Sequence, residues 1–480
     1  MSVSLKKNII SGILWNALGQ FGRQGISFFV AIILARILLP AEFGLIGMLL
    51  VFSGIADVFI NSGLGTALIQ KKDANTVDYS TVFYFNVAVS LFFYILLYVS
   101  APAISTFYNE PELLHLTRLM ALVFVINAFG TVQSTILTIQ LNFKKYNLIS
   151  LVGVLISAII ALFMAYKNYG VYSLAGQAIS YAVVTNILYW FTSKWKPELI
   201  FSMSSFRSLF RFASKILLSS LLDKIFTTID SLVVGKVFNA AQLGYYTRAK
   251  ATRDLPIVNT TGIISSVFFP VFSKLDNDDE LRRYHLRFFS LIAYLVLPLM
   301  AGLFVVARPF TVTLFTEKWI ESVPMLQIFC LFGPVYPLSV ILVQTILVKG
   351  KANKFLELDI YKKTVLLIAM GIGAYFGVIP FLVALCLSNF AGFYLNLLFT
   401  SKVIGITLGQ YVRCLAPSFA VTVLMAVVVY LTGFVDFYSD KLLLIVQSAT
   451  GILVYVVLSR IFKLSEYNYL VQSLRKRLKI

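Results

Sequence analysis

Five cations lie where charge is costly. Arg23, Lys215, Lys224, Lys250 and Arg253 fall inside long apolar stretches rather than between them. A lone cation at the centre of a bilayer costs roughly 2.5–3.5 kcal/mol on insertion scales, so such groups ordinarily face a polar cavity and act there. A guanidinium presents a planar fork of donors that suits phosphate oxygens, and an ammonium presents a point charge. The chemistry implied is the holding of an anionic cargo.

The spacing around these cations sharpens that expectation. Asn16, Gln20, Arg23 and Ser27 recur at i, i+4, i+7 and i+11 and fall on one narrow polar stripe of a helix. Either the stripe lines a cavity, or it packs on a neighbouring helix with Arg23 paired to a buried carboxylate such as Asp57. Asn127, Thr131, Ser134 and Thr138 repeat the spacing without charge. They would contact sugar hydroxyls in a cavity, and hydrogen bonding between helices accounts for them equally well. Tyr246, Lys250 and Arg253 share a face ahead of Pro256. Two cations three apart can address one diphosphate; a pair between Lys250 and Asp254 near the membrane surface is the competing account. Lys215 and Lys224, nine apart, point to opposite faces, whereas Asp223 and Asp230 share one. Asp57, Asp223 and Asp230 are the intramembrane carboxylates available to neutralise a cation or to couple to H+ or Na+. No metal or other cofactor is expected: the two histidines are far apart, and the three cysteines show no CxxC spacing.

The elements that carry these residues are apolar helices. The chain has 480 residues, is 59% hydrophobic and has a mean hydropathy of +0.87. Periodicity and length predict fourteen spans, near 9–36, 43–69, 79–101, 113–139, 147–166, 171–192, 209–235, 243–272, 286–307, 322–348, 361–378, 380–401, 412–433 and 442–462. The expectation is therefore an all-α polytopic membrane protein. Its net charge of +19 is no sign of nucleic acid. Most of the cations, such as Lys71, Lys72, Lys144, Lys145, Lys194 and Lys196, fall in alternate connections, and few, such as Arg36 and Lys167, fall in the others. By the positive-inside rule both termini are cytoplasmic. The short loops and the lack of a GxxxxGK[ST] sequence leave no room for an ATPase domain.

The chain also repeats itself at an offset of 200. ARILLPAEFGL at 35–45 aligns with GKVFNAAQLGY at 235–245, matching Arg36 with Lys236, Ala41 with Ala241 and Gly44 with Gly244. Six spans separate the copies, which predicts two six-helix lobes in parallel repeat, 1–200 and 201–405. Two extra helices and a basic cytoplasmic tail occupy 406–480.

The stretches LARILLPAEFGLIGM (34–48), GLGTALIQKK (63–72) and IDSLVVGKVFNAAQLGYYTRAKATRDLP (229–256) resemble the polysaccharide transporter family. That family belongs to the multidrug/oligosaccharidyl-lipid/polysaccharide flippase superfamily, and the likeness is nearest to Wzx-type lipopolysaccharide, colanic acid and teichuronic acid exporters. The resemblance implies a flippase, not an enzyme, in a bacterial cytoplasmic (inner) membrane. It would move undecaprenyl-diphosphate-linked oligosaccharide from the inner to the outer leaflet by alternating access, for surface polysaccharide biosynthesis. Arg23, Lys250, Arg253 and Lys215 are the expected diphosphate contacts. Asn16, Gln20, Ser27, Asn127, Thr131, Ser134 and Tyr246 are the expected polar lining. Membrane lipid, the lipid-linked oligosaccharide and polysaccharide polymerase machinery are the implied partners. A peptidoglycan lipid-precursor flippase is a near alternative. A cation-coupled multidrug exporter should favour an acidic cavity, and a membrane glycosyltransferase or polymerase needs loop-borne catalytic residues that short outer loops do not supply.

Overall fold

Runs of Leu, Ile, Val and Phe punctuated by capping residues become helices along the whole chain. The computed structural model describes the backbone of residues 3–61, 63–275, 277–435 and 438–478. Side chains are described from Trp15 onward, excluding 16, 17, 61, 259, 263, 265–267, 269, 270 and 473–480 within helices. The helices are α1 (Val3–Ile37), α2 (Pro40–Asn61), α3 (Leu64–Gln70), α4 (Thr76–Tyr108), α5 (Leu113–Ile139), α6 (Phe143–Tyr166), α7 (Tyr172–Thr192), α8 (Met203–Val237) and α9 (Ala240–Phe272). They continue with α10 (Asp278–Val305), α11 (Ala307–Phe315), α12 (Ser322–Phe332), α13 (Val335–Val348), α14 (Ala352–Tyr375), α15 (Val378–Ile404), α16 (Leu408–Thr432), α17 (Asp440–Ile461) and α18 (Ser465–Leu478).

Each of the fourteen predicted spans coincides with one of these helices or with a broken pair, α2–α3 or α12–α13. Among the described residues, ten are long and apolar enough to cross a membrane by length and composition. The remaining four, α7, α8, α9 and α14, are long enough but more polar, and α8, α9 and α14 carry charges along their length. A helix that is polar on one face and still spans lipid must turn that face away from the acyl chains.

Local chemistry sets the ends. Pro40 opens α2 at the first helical position, where its missing N–H costs nothing. Asn75 and Asp78 form a reciprocal capping box at α4, and Thr407 and Gln410 do the same at α16. Asn109 and Gly405 close α4 and α15 in the left-handed conformation, at φ 59° and 71°.

Contacts divide the chain into Met1–Gly244 and Tyr245–Ile480. In the first unit α4 packs along α5, α6 along α7, α1 on α6, and α8 on α2, α3 and α4. Asp78, 2% exposed, anchors the start of α8: it accepts from Ser205 and from Lys71 Nζ at 2.6 Å. Because α8 joins the first unit by packing, this division falls at 244/245, whereas the repeat-based one falls at 200/201. In the second unit α14 packs along α15, α10 and α17 flank α16, and α13 lies on α15. Its core gathers Ile257, Phe268, Phe289, Met300, Ile341 and Leu342.

Candidate functional site

α1 leans on α6 because small residues permit it. A Cβ at Gly19 would stand 2.3 Å from Asn147 Oδ1, and one at Gly22 would stand 3.2 Å from Leu151. This close approach delivers Arg23, one turn further along, to the same asparagine: Arg23 Nη1 donates to Asn147 Oδ1 at 2.8 Å. Asn147 is fully buried and donates in turn to the Phe143 carbonyl, which holds its amide in one orientation. The charge of Arg23 also acts on the phenols of Tyr181 and Tyr189 of α7, and the ring of Tyr146 lies 6.3 Å from that of Tyr189. Arg23 is thus positioned by a neutral amide and bordered by tyrosines. Its charge is not cancelled at that contact, and Asn147 takes one of five guanidinium donors.

Gln20 and Ser27 are exposed on either side of half-buried Arg23, so this part of the stripe is not covered within its unit. The side chain of Asn16 lies outside the described residues. On α5 the Thr131, Ser134 and Thr138 hydroxyls donate to the carbonyls of Asn127, Thr131 and Ser134, at 3.0, 2.8 and 3.1 Å. Their donors are spent within the helix, and only acceptor lone pairs remain to meet another group.

The second arrangement in this unit joins α2 and α8. Gly54 lets Lys224 lie across α2: a Cβ there would stand 2.1 Å from Lys224 Cε and 2.8 Å from its Nζ. The ammonium lies in the field of Asp57, three residues further along α2. The carboxylate offered by the sequence as a partner for Arg23 therefore faces Lys224 instead. Lys215 and Asp223 are exposed on α8. Asp230 is half-buried and accepts from the Ser231 backbone N–H at 2.7 Å.

In the second unit the cations of α9 meet aromatic rings. Arg253 forms an ion pair with its neighbour Asp254 at 2.5 Å and lies 4.8 Å over Phe329. Its charge acts on Cys330 of α12 and Cys386 of α15. Lys250 lies 5.6 Å over the ring of Tyr246, which is 1% exposed and packs edge-on against Phe329. Tyr246 is therefore a buried support, not an open lining residue. Arg248 sits between Phe315 and Trp319, at 4.9 and 5.1 Å. Asp254 is engaged by Arg253, one residue away, rather than by Lys250 at the i+4 spacing.

Sequence spacing isolates Arg23 and Lys224 but misses Asn147, Tyr181 and the seat that Gly54 provides for Lys224. The available signal was a polar residue opposite a glycine in another apolar span. That signal recurs at Gly130 against Asn186 and Gly153 against Thr185.

The offset of 200 reappears as a reciprocal contact. A Cβ at Gly44 would stand 1.7 Å from the Ala240 carbonyl oxygen, and a Cβ at Gly244 would stand 1.9 Å from that of Pro40. Residue 44 therefore meets the repeat partner of residue 40, and residue 40 meets the repeat partner of residue 44.

Comparison with known proteins agrees with this architecture. The family model described as polysaccharide biosynthesis protein matches residues 33–324. The teichuronic acid biosynthesis protein TuaB of Bacillus subtilis (strain 168) is 26% identical over 353 residues, 73% of each chain. The lipopolysaccharide biosynthesis protein WzxC of Escherichia coli (strain K12) is 26% identical over 441 residues, 90% of this chain and 89% of WzxC. Among solved structures, the lipid II flippase MurJ in its inward closed conformation superposes with a TM-score of 0.76 at 18% identity, covering 96% of this chain and 100% of that one. At that identity the likeness establishes the fold.

Proposed function

The chain belongs to the polysaccharide biosynthesis protein family, and from that premise we propose that it is a flippase for undecaprenyl-diphosphate-linked oligosaccharide. It carries this lipid from the inner to the outer leaflet of a bacterial cytoplasmic membrane by alternating access. The observation that carries the proposal is Arg23. It is an intramembrane guanidinium oriented by a neutral amide, with its charge left available to a cargo. A diphosphate is the fitting group, since a guanidinium binds two phosphate oxygens at once. Lys250, Arg253 and exposed Lys215 are proposed as further cationic contacts, and Gln20, Ser27 and the α5 stripe as contacts to sugar. The repeat supports a working division into lobes 1–200 and 201–405 with an appended 406–480. Asp57, in the field of Lys224, is the proposed site at which H+ or Na+ would couple, with Asp223 and Asp230 as further candidates. Polymerase machinery that consumes the exported unit is the proposed partner.

An inside-negative potential favours outward movement of an anion by about 2.3 kcal/mol per charge per 100 mV, which supplies direction without a nucleotide. The test is the leaflet location of the lipid-linked glycan, read with a membrane-impermeant glycan probe on spheroplasts lacking the protein. Glycan should accumulate unlabelled, wild type should restore labelling, and Arg23→Ala at normal protein level should not. Outward-facing single units that fail to polymerise in the deletion strain would place the defect at a later step and overturn the proposal.

A further inference from the structure

A cavity of about 550 Å³ opens within the second unit, where α10, α16 and the α17–α18 connection converge. Each wall contributes one cation: Arg287 from α10, Arg413 from α16 and Lys463 from the connection. Lys463 is placed by backbone geometry. Its φ is 50°, and the chain reverses there, with Leu464 N–H closing onto the Ser459 carbonyl at 3.0 Å. Arg287 is held 4.3 Å over the Tyr469 ring of α18. The cavity contains one carboxylate, Glu466, which accepts from the Ser290 hydroxyl.

The charge pattern at this end of the unit is uneven. On the exposed first turns of α10, Arg282 pairs with Asp279 at 3.0 Å and Arg283 with Glu280 at 3.7 Å, and Lys349 pairs with Asp278. Among the described residues, no carboxylate lies within ion-pair distance of Arg287, Arg413 or Lys463. Arg282, Arg283 and Lys349 are each neutralised by a nearby carboxylate, and the three cations around the cavity have no such ion pair among the described residues. The same space is walled by Leu291 and Pro417, which belong to the apolar spans of α10 and α16. A cationic hole beside apolar walls at helix ends matches the interface of a bilayer, where a phosphate lies next to acyl chains. Its volume is that of an ordinary small-ligand site.

We propose that this cavity binds the phosphate headgroup of an anionic membrane phospholipid, which fastens the α17–α18 connection to α10 and α16. The bound lipid occupies this unit on its own account, whatever cargo the protein carries.

Native mass spectrometry of the purified full-length protein tests this, with phosphatidylglycerol and phosphatidylcholine of identical acyl chains, and with glycerol 3-phosphate. Wild type should retain phosphatidylglycerol over phosphatidylcholine by roughly tenfold, in keeping with the attraction of a few cations for an anionic headgroup. Arg413→Gln combined with Lys463→Gln should lose that preference, whereas Lys441→Gln, exposed at the other end of α17, should keep it. Equal retention of the two lipids by wild type needs no variant and overturns the proposal. So does a double variant that binds like wild type. Retention of glycerol 3-phosphate as tight as that of the lipid would make this a soluble-phosphate site and overturn the assignment to lipid.

Discussion

At the residue scale, the partner of Arg23 decides what that cation can do. A carboxylate would neutralise it, whereas Asn147 orients it and leaves its charge. A hydrogen bond to a charged group contributes roughly 1.5–3 kcal/mol, so Asn147→Ala should lower export about tenfold or more with unchanged protein level. Asn147→Asp separates two roles. If Arg23 serves the cargo, the new ion pair neutralises it, and export should fall as far as in Arg23→Ala. Normal glycan export with Asn147→Asp would mean that Arg23 only braces α1 against α6. Elsewhere a polar group is fully satisfied. His285 is wholly buried, with Nδ1 2.9 Å from Thr345 Oγ1 and Nε2 2.9 Å from the Tyr411 hydroxyl. Thr345 already donates to the Ile341 carbonyl, so Nδ1–H donates to Thr345 and Tyr411 donates to Nε2. That is a neutral imidazole stitching α10, α13 and α16 together.

At the element scale, the informative contact is the reciprocal one between the starts of α2 and α9. Two glycines each face the other repeat's backbone carbonyl, and neither tolerates a Cβ without separation of the helices. Gly44→Ala should therefore push these helix starts apart. A cysteine at Ala240, which is 4% exposed, should then become labelled by a membrane-impermeant maleimide. Gly25→Ala, whose Cβ would meet nothing within 4 Å, should leave that labelling at the background level. Equal labelling in the two backgrounds would show that the close approach is not maintained in the membrane. The alternating access proposed above would require contacts that can be broken, and a carbonyl against a glycine offers close packing with little side-chain interlock.

At the scale of the whole molecule, the distribution of cations predicts topology. Fourteen crossings would return the chain to the side on which it began, and the positive-inside rule would put the cation-rich connections on the cytoplasmic side. Tags at both termini should be protected in intact cells and accessible after permeabilisation. Lys441→Cys, exposed at the start of α17, should be labelled from outside in intact cells. An externally accessible C-terminus would require an odd number of crossings. It would also put the Arg287–Arg413–Lys463 cavity at the outer leaflet, because that cavity borders α18.

The sequence by itself determined the membrane class, the positions of the spans, the offset of 200 and the isolation of Arg23. All of these are local or periodic. Hydropathy adds residue by residue along a helix, caps are read within four residues, and a repeat is matched without knowing where it folds. Tertiary structure alone decided the partners. Arg23 and Asn147 are 124 residues apart, and nothing in either segment names the other. Asp57 was legible as an intramembrane carboxylate, but its assignment to Lys224 depended on Gly54 opening a seat on α2. Tyr246 shares a helical face with Lys250, yet only the packing of Phe329 buries it. The three-cation cavity was invisible for the same reason. Its cations lie in different helices or their connections, and they converge only when α10, α16 and the α17–α18 turn pack together. A charge in an apolar run can be recognised from its surroundings in the chain, whereas its function depends on groups that the fold brings beside it.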